Sequence, residues 1–273
     1  MTFGSRLRSA IDGRGRLCVG IDPHPVLLDA WGLTDSAFGL EKFAMTTVEA
    51  LAGTAAVIKP QSAFFERHGS AGVAVLEKVI AGCRELGAIV LLDVKRGDIG
   101  STAQAYADAY LDPNSPLACD AITASPYLGM GSLDPMVQTA LSHDAGVFVL
   151  ALTSNPEGPQ FQHAGTADGR TVAGTVLDTV AALNADAEDL GSVGAVVGAT
   201  IGETTENLDV NGPLLVPGIG AQGGTVDDVR RIFGSAARNV LPSSSREVLG
   251  AGPDKRALHE AALRAAETFS SLG

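Results

Sequence analysis

The amino-acid sequence predicts a single-domain α/β fold, the (β/α)8 TIM barrel, over residues 1–273. Three observations lead to this fold class. Near-continuous apolar runs rich in Val, Ile and Leu recur eight times, as is typical of parallel strands buried on both faces. Segments with helical spacing of apolar residues lie between the runs, and no Pro/Ser-rich linker divides the chain. Such alternation over about 250 residues favours this barrel over its competitor, a doubly wound open sheet.

The predicted strands follow one another at intervals along the whole chain. In order, they are residues 16–22, 55–60, 88–95, 121–125, 146–154, 193–200, 214–220 and 238–245. Apolar residues three or four positions apart predict helices within residues 73–83, 133–141, 172–183, 226–233 and 258–269. The one long irregular stretch, residues 154–170, follows the fifth strand. We expect a lid or a binding loop there, with a tolerated surface insertion as the alternative.

Composition and charge argue against several classes of protein. The net charge of −12 argues against nucleic-acid binding and requires a local positive cluster for any anionic substrate. The five histidines and three cysteines show no metal-ligand spacing and no CxxC, which argues against a His/Cys metal site and favours a reducing compartment. A carboxylate metal site stays open. We see no signal peptide and no apolar run of about 18 residues, so we expect a cytoplasmic protein without a membrane partner.

The third predicted strand carries charged side chains at its end. Side chains alternate along a strand, so Asp93 and Lys95 share the face of Leu91, while the opposite face is entirely apolar and packs on helices. The two charged residues therefore point into the barrel at the C-terminal strand ends, where TIM-barrel active sites lie. Asp98 follows in the loop. We expect Lys95 to stay protonated between the two carboxylates and to deliver a proton.

Two other strands end in the same way. Asp22 ends the first and Lys59 lies near the end of the second, so we expect both to join Asp93 and Lys95 in an Asp/Lys/Asp/Lys array. The alternative is a buried ion pair followed by a helix with a capping box over residues 101–104. A capping box accounts for the loop, but not for charged side chains that point inward on a strand.

Loops after the seventh and eighth strands, residues 216–225 and 242–248, predict a phosphate site. TIM barrels often bind phosphate with these two loops and a short helix N-terminus. Glycines let backbone N–H groups approach the anion, and Arg246 can supply a bidentate guanidinium; an ordinary turn with a surface arginine is the alternative. The first loop also contains GxGxxG, but the acidic residue required about 20 positions later is missing, so we reject an NAD site.

Together these motifs resemble those of the orotidine 5′-phosphate decarboxylase family, over essentially the whole chain. The matching segments are Gly20-Ile-Asp22, Ile58-Lys59-Pro60, Asp93-x-Lys95-x-x-Asp98-Ile-x-x-Thr102 and Pro217-Gly-Ile-Gly-Ala-Gln222-Gly-Gly. Residues 95–107 and the loop that begins at Ser154 are similar to the longer bacterial branch of the family. The resemblance implies decarboxylation of orotidine 5′-monophosphate to UMP and CO2, the last step of de novo pyrimidine nucleotide synthesis, with neither a metal nor an organic cofactor.

The resemblance also implies a role for each motif residue. Lys95 protonates C6 as CO2 leaves, and Asp93 lies beside the substrate carboxylate. The charged network is completed by Lys59 and Asp98. The substrate contacts implied are Asp22 and Lys59 near the ribose, Ser154 and Gln222 at the pyrimidine, Pro217 in the lining, and Gln222 and Arg246 at the phosphate. Family residues equivalent to Asp98 and Thr102 reach into the neighbouring subunit's site, which implies a homodimer with shared active sites.

Three other functions stay open. Sister enzymes such as 3-keto-gulonate-6-phosphate decarboxylase and hexulose-phosphate synthase have a similar Asp-x-Lys-x-x-Asp motif but use Mg2+. A phosphate-sugar isomerase of this fold would share the phosphate loops without the charged array. A non-catalytic nucleotide-binding barrel would have no need of the array, and a turnover assay separates it from an enzyme.

Overall fold

Eight parallel strands form a closed barrel in the computed structural model, which describes residues 1–220 and 223–272. The strands are β1 Cys18–Ile21, β2 Val57–Pro60, β3 Ile89–Arg96, β4 Ala121–Ala124, β5 Gly146–Leu152, β6 Val193–Val197, β7 Leu214–Pro217 and β8 Val240–Ser244. They pair in chain order, and β8 closes the barrel against β1. The predicted barrel and its eight predicted strands are therefore confirmed, and the open sheet is excluded.

Helices surround the barrel. Within the described ranges, the α-helices are α1 Phe3–Arg14, α2 Pro25–Ala30, α3 Ala37–Leu51, α4 Ala63–Glu66, α5 Gly69–Glu85, α6 Gly100–Leu111, α7 Asp134–Ser142, α8 Pro159–Gln162, α9 Val172–Leu183, α10 Val226–Phe233, α11 Arg246–Leu249 and α12 Lys255–Phe269. The five predicted helices correspond to α5, α7, α9, α10 and α12. None of these described helices combines the length and the apolar character that a membrane span requires.

Alternation along the strands divides the apolar core into two layers. On β3, Val90, Leu92 and Val94 point outward and pack in the layer between the strands and the helices. Ile89 and Leu91 point inward and belong to the cluster that fills the barrel. The inward face of β3 therefore continues from apolar residues in the barrel interior to charged residues at the mouth.

Helix α1 closes the barrel at the N-terminal ends of the strands. Phe3, Leu7 and Ile11 recur every four residues on one face of α1, and all three are buried in the barrel cluster. The ring of Phe3 meets the ring of Phe148 edge to face, with 6.0 Å between the centroids. Gly146 permits this packing, because a Cβ there would collide with the Phe3 ring. Because α1 closes the N-terminal end of the barrel, the site is built at the C-terminal mouth.

The connection between β6 and β7 departs from the predicted alternation of strands and helices. Residues 198–213, all of them described, contain no helix. Leu208 and Val210 of this segment are buried in the outer layer, where a helix would otherwise pack. The side-chain amide of Asn184 donates to the backbone oxygens of Val193 and Val210 and so holds the segment against the barrel. The expectation of a single long irregular stretch was therefore wrong.

Candidate active site

Four charged side chains form a row at the C-terminal mouth of the barrel. Asp22 follows β1, Lys59 lies in β2, and Asp93 and Lys95 lie in β3. Lys59 Nζ lies 3.9 Å from Asp22 Oδ1 and 3.4 Å from Asp93 Oδ2. Lys95 Nζ lies 2.6 Å from Asp93 Oδ1. The signs alternate along the row, so the structure brings together the Asp/Lys/Asp/Lys array expected from the strand ends.

Ion pairing holds the inner members of the row in their charged forms. Burial by itself lowers the pKa of Lys59, but the carboxylates of Asp22 and Asp93 outweigh burial and raise that pKa. Burial likewise raises the pKa of Asp93, but Lys59 and Lys95 outweigh it and lower that pKa to about 2. At neutral pH, Lys59 is therefore a permanent cation and Asp93 a permanent anion.

The charged row forms one wall of a cavity of about 420 Å3, a size suited to a small-molecule ligand. An apolar wall contains Leu150, Val196, Leu215 and Ile219. Six of the ten predicted site residues line this cavity, namely Asp22, Lys59, Asp93, Lys95, Pro217 and Arg246. A planar, partly apolar molecule with a charged group could place its ring on the apolar wall and its charge on the row.

Three other predicted site residues, Asp98, Thr102 and Ser154, are not part of the cavity lining. Asp98 lies in the loop after β3, where its Oδ1 accepts a hydrogen bond from the backbone N–H of Ile99. Thr102 is exposed in the first turn of α6, and Ser154 is exposed in the loop after β5. Gln222 lies outside the described residues.

The lysine between two carboxylates is not the one that the motif suggested. We expected Lys95 between Asp93 and Asp98, but Lys59 occupies such a position, between Asp22 and Asp93. Within the described part of the chain, Asp98 forms no ion pair with Lys95. The reason is that Asp98 lies two residues past the end of β3, whereas Asp22 directly follows β1, whose Gly20 pairs with Lys59 in β2.

The predicted capping box at the start of α6 is also wrong. The helix already begins at Gly100, so Ser101 lies inside its first turn and not at the N-cap position. The N-cap residue is Ile99, whose side chain forms no cap hydrogen bond. Gln104 donates instead to Asp108, one turn further along the helix.

Several cavity residues were missed in the sequence. They are His24, Gln61, Thr123, Ser243 and Ser245. Each follows an inward-facing residue by two positions, so extending the strand alternation beyond the apolar runs could have found them. Polar strand ends resemble ordinary turns when they are viewed one at a time, which is why only the charged ones stood out.

Gly218, in a glycine-rich segment, and Arg246 also line the cavity. Gly218 and Gly220 follow β7 with φ of 97° and 72°, which glycine adopts without strain. Arg246 is the first residue of α11, lines the cavity, and forms no ion pair with any described residue. A guanidinium without an acidic partner beside a glycine-rich turn is suited to an anionic group of a ligand.

The closed barrel, the charged row and the cavity beside it define a TIM-barrel enzyme with a small-molecule site. The chain belongs to the orotidine 5′-phosphate decarboxylase / HUMPS family, whose family model matches residues 15–261. The resemblance seen in the sequence motifs is thereby confirmed.

Curated relatives agree with this family. The chain is 69% identical over 250 residues to an orotidine 5′-phosphate decarboxylase of Nocardioides sp., which covers 90% of this chain and 91% of the relative. It is 60% identical over 263 residues to the orotidine 5′-phosphate decarboxylase of Streptomyces coelicolor, with coverage of 96% and 95%.

Solved structures agree with the fold. A Streptomyces avermitilis crystal structure, provisionally described as an orotidine 5′-phosphate decarboxylase, superposes with a TM-score of 0.97 at 60% identity, covering 99% of this chain and 95% of the other. The OMP decarboxylase of Leishmania donovani superposes with a TM-score of 0.78 at 31% identity, covering 100% and 99%.

Proposed function

We propose that this chain decarboxylates orotidine 5′-monophosphate to UMP and CO2, as a carboxy-lyase that needs neither a metal nor an organic cofactor. The observation that carries the proposal is the alternating row of two carboxylates and two lysines beside an apolar wall, in a member of this family. The named relatives carry the same activity in their descriptions.

In the proposed reaction, Lys95 acts at the reacting carbon. The bond between C6 and the carboxylate breaks, its electron pair stays on C6, and neutral CO2 leaves. The Lys95 ammonium stabilises the developing negative charge and then transfers a proton to C6. Its side chain is 45% exposed, so the neutral amine can be reprotonated from solvent. Asp93 lies beside the substrate carboxylate, and the repulsion between the two anions ends when CO2 forms.

The rest of the substrate would occupy the remaining surface of the cavity. The pyrimidine packs on the apolar wall and meets Ser154 and Gln222. The ribose hydroxyls contact Asp22 and Lys59. The phosphate contacts Arg246 and the glycine-rich turn. Binding the phosphate far from C6 supplies energy that can close the loops over the charged row.

We also propose a homodimer with shared active sites. Asp98 and Thr102 lie outside the cavity lining of their own barrel, as expected if they complete the site of a second subunit. A cytoplasmic location is part of the proposal, and it is supported by three buried cysteines with free thiols.

Direct turnover tests the proposal. Purified protein incubated with orotidine 5′-monophosphate should produce UMP, followed as a loss of absorbance, and extensive EDTA treatment should leave the rate unchanged. Lys95→Ala should lower kcat by at least about 10³-fold while the fold is retained, because the proton donor and the nearest cation are lost together. A rate that disappears with EDTA and returns with Mg2+ would favour the Mg2+-dependent sister enzymes, and absence of turnover would refute the proposal.

A further inference from the structure

The end of β3 leaves its regular pairing with β4. Leu92 is paired with Ile122, whereas Arg96 is paired with Ala124, so four steps along β3 face only two along β4. Within this bulge Lys95 has a φ of +47°, in the left-handed region that lysine rarely adopts. The bulge therefore changes the direction of the chain at the residue that the proposed reaction needs most.

One buried hydroxyl fills the space opposite the bulge. Thr123, in the centre of the facing segment of β4, is 1% exposed. Its Oγ1 accepts a hydrogen bond from the backbone N–H of Lys95 at 2.9 Å and donates one to Asp93 Oδ1 at 2.7 Å. A hydroxyl carries one donor and two acceptor sites, so both bonds form at the same time. Valine has the same shape but could form neither.

We infer that Thr123 is a positioning residue for the proposed reaction, one that acts through Asp93 and Lys95. Asp93 Oδ1 receives two donors, the Thr123 hydroxyl and the Lys95 ammonium, so the two bonds fix where the carboxylate and the ammonium meet. The bond to the Lys95 backbone satisfies an N–H that the bulge removes from the ladder. A lysine keeps a left-handed backbone conformation only where its surroundings stabilise it, and the hydrogen bond to Thr123 does so for Lys95.

The inference rests on the proposed function and is tested with substitutions that separate hydroxyl from shape. Thr123→Val should lower kcat about 10²-fold, as expected when a reacting group is displaced by about 1 Å, with little change in the Kd of UMP. Thr123→Ser keeps the hydroxyl and should recover most of the lost kcat. Thr47→Val is the matched control, because Thr47 is a fully buried threonine whose hydroxyl, among the described residues, bonds only to the backbone oxygen of Phe43 in α3. The kcat of Thr47→Val should stay at the wild-type value.

The pH profile of kcat adds a second readout, taken over the pH range in which thermal melts show both proteins folded. Asp93 loses a hydrogen-bond donor in Thr123→Val, so its pKa should rise and the acid limb of kcat should move to higher pH. Thr123→Ser should keep the wild-type limb. Thermal melts check folding, and Thr123→Ala serves as the hydroxyl-free variant if Thr123→Val does not fold.

Three outcomes overturn the inference. They are a kcat of Thr123→Val within about threefold of wild type, a Thr123→Ser variant as impaired as Thr123→Val, and a loss of UMP affinity that matches the loss of kcat. Should wild type not turn over orotidine 5′-monophosphate, the proposed function fails by itself. Crystal structures of wild type and Thr123→Val then decide: the inference requires Lys95 to leave positive φ, or its Nζ to separate from Asp93, in the variant alone.

Discussion

The two lysines of the charged row have different surroundings. Lys59 is buried, with only 6% of its side chain exposed, and it lies between two carboxylates that hold its proton. Lys95 is nearly half exposed and contacts one carboxylate. A proton donor must release its proton and recover it in each cycle, and a fully enclosed cation cannot do so readily. Lys95 is therefore suited to proton transfer, and Lys59 to holding Asp22 and Asp93 in place.

Arg246, in the cavity lining, should bind the substrate phosphate. Arg246→Ala should weaken UMP binding by about 2 kcal/mol, roughly 30-fold in Kd, because a charge-assisted contact is lost. Binding of uridine, which has no phosphate, should barely change. Isothermal titration with both ligands measures the difference.

The matched control for this prediction is Arg256→Ala. Arg256 lies on α12, outside the cavity, with 88% of its side chain exposed, and its loss should leave both affinities unchanged. Equal losses for UMP and uridine in Arg246→Ala would show that Arg246 does not contact the phosphate.

Local sequence patterns predicted the strands, but they did not predict elements whose position depends on tertiary packing. Each strand is buried on both faces, so its apolar run is visible in the sequence. Helix α1 also has a regular spacing of apolar residues, but it lies before the first strand. The predicted alternation of strands and helices begins with that strand and so does not include α1. Leu208 and Val210 reach the core from a segment rich in Gly, Thr and Asn, which has no helical period.

Within the site, too, local sequence pattern predicted some residues, and tertiary packing decided the contacts of others. Asp93 and Lys95 were found because charge on an apolar strand is conspicuous. The contact of Lys59 with Asp22 depends on the register between β1 and β2, and the contacts of Thr123 depend on a bulge. Neither the register nor the bulge leaves a mark in the spacing of residues along the chain.

The closing helix α1 should contribute strongly to stability. Phe3→Ala removes a ring that is 1% exposed and packed against Phe148, so we expect a loss of about 3–5 kcal/mol in the free energy of unfolding. Phe38→Ala, at a side chain 74% exposed on α3, should change it by no more than about 0.5 kcal/mol. Urea denaturation at one fixed protein concentration measures both. A similar, small effect of the two substitutions would mean that α1 does not close the barrel as a packed element.

The candidate site lies at one end of the barrel, and the other end is closed by packing. Helix α1 fills the N-terminal end of the barrel, and the charged row, the apolar wall and Arg246 share the other. The chain carries a net charge of −12, so an anionic substrate is repelled by most of the surface. Lys95 and Arg246 both line the cavity, and these cations offset that repulsion where the substrate would bind.

Asp98 lies outside the cavity lining of its own barrel. It belongs to the Asp-x-Lys-x-x-Asp motif, yet it lies beyond β3 and makes no ion pair with Lys95 among the described residues. In a two-fold dimer, whatever one subunit lends to its partner it also receives. A residue that points across the two-fold axis would then belong to the partner's cavity.

Mixing two inactive variants tests this arrangement. Lys95→Ala and Asp98→Ala proteins are combined in equal amounts under conditions where subunits exchange. If Asp98 acts in the partner's site, each mixed dimer contains one site with both defects and one site with neither. Random exchange makes half of the dimers mixed, so about a quarter of wild-type sites should return, measured as turnover per site. If Asp98 acts in its own barrel, every site keeps one defect and mixing restores nothing. Absence of recovery, with exchange verified by mass spectrometry of labelled subunits, would refute the shared site and leave the role proposed for Lys95 intact.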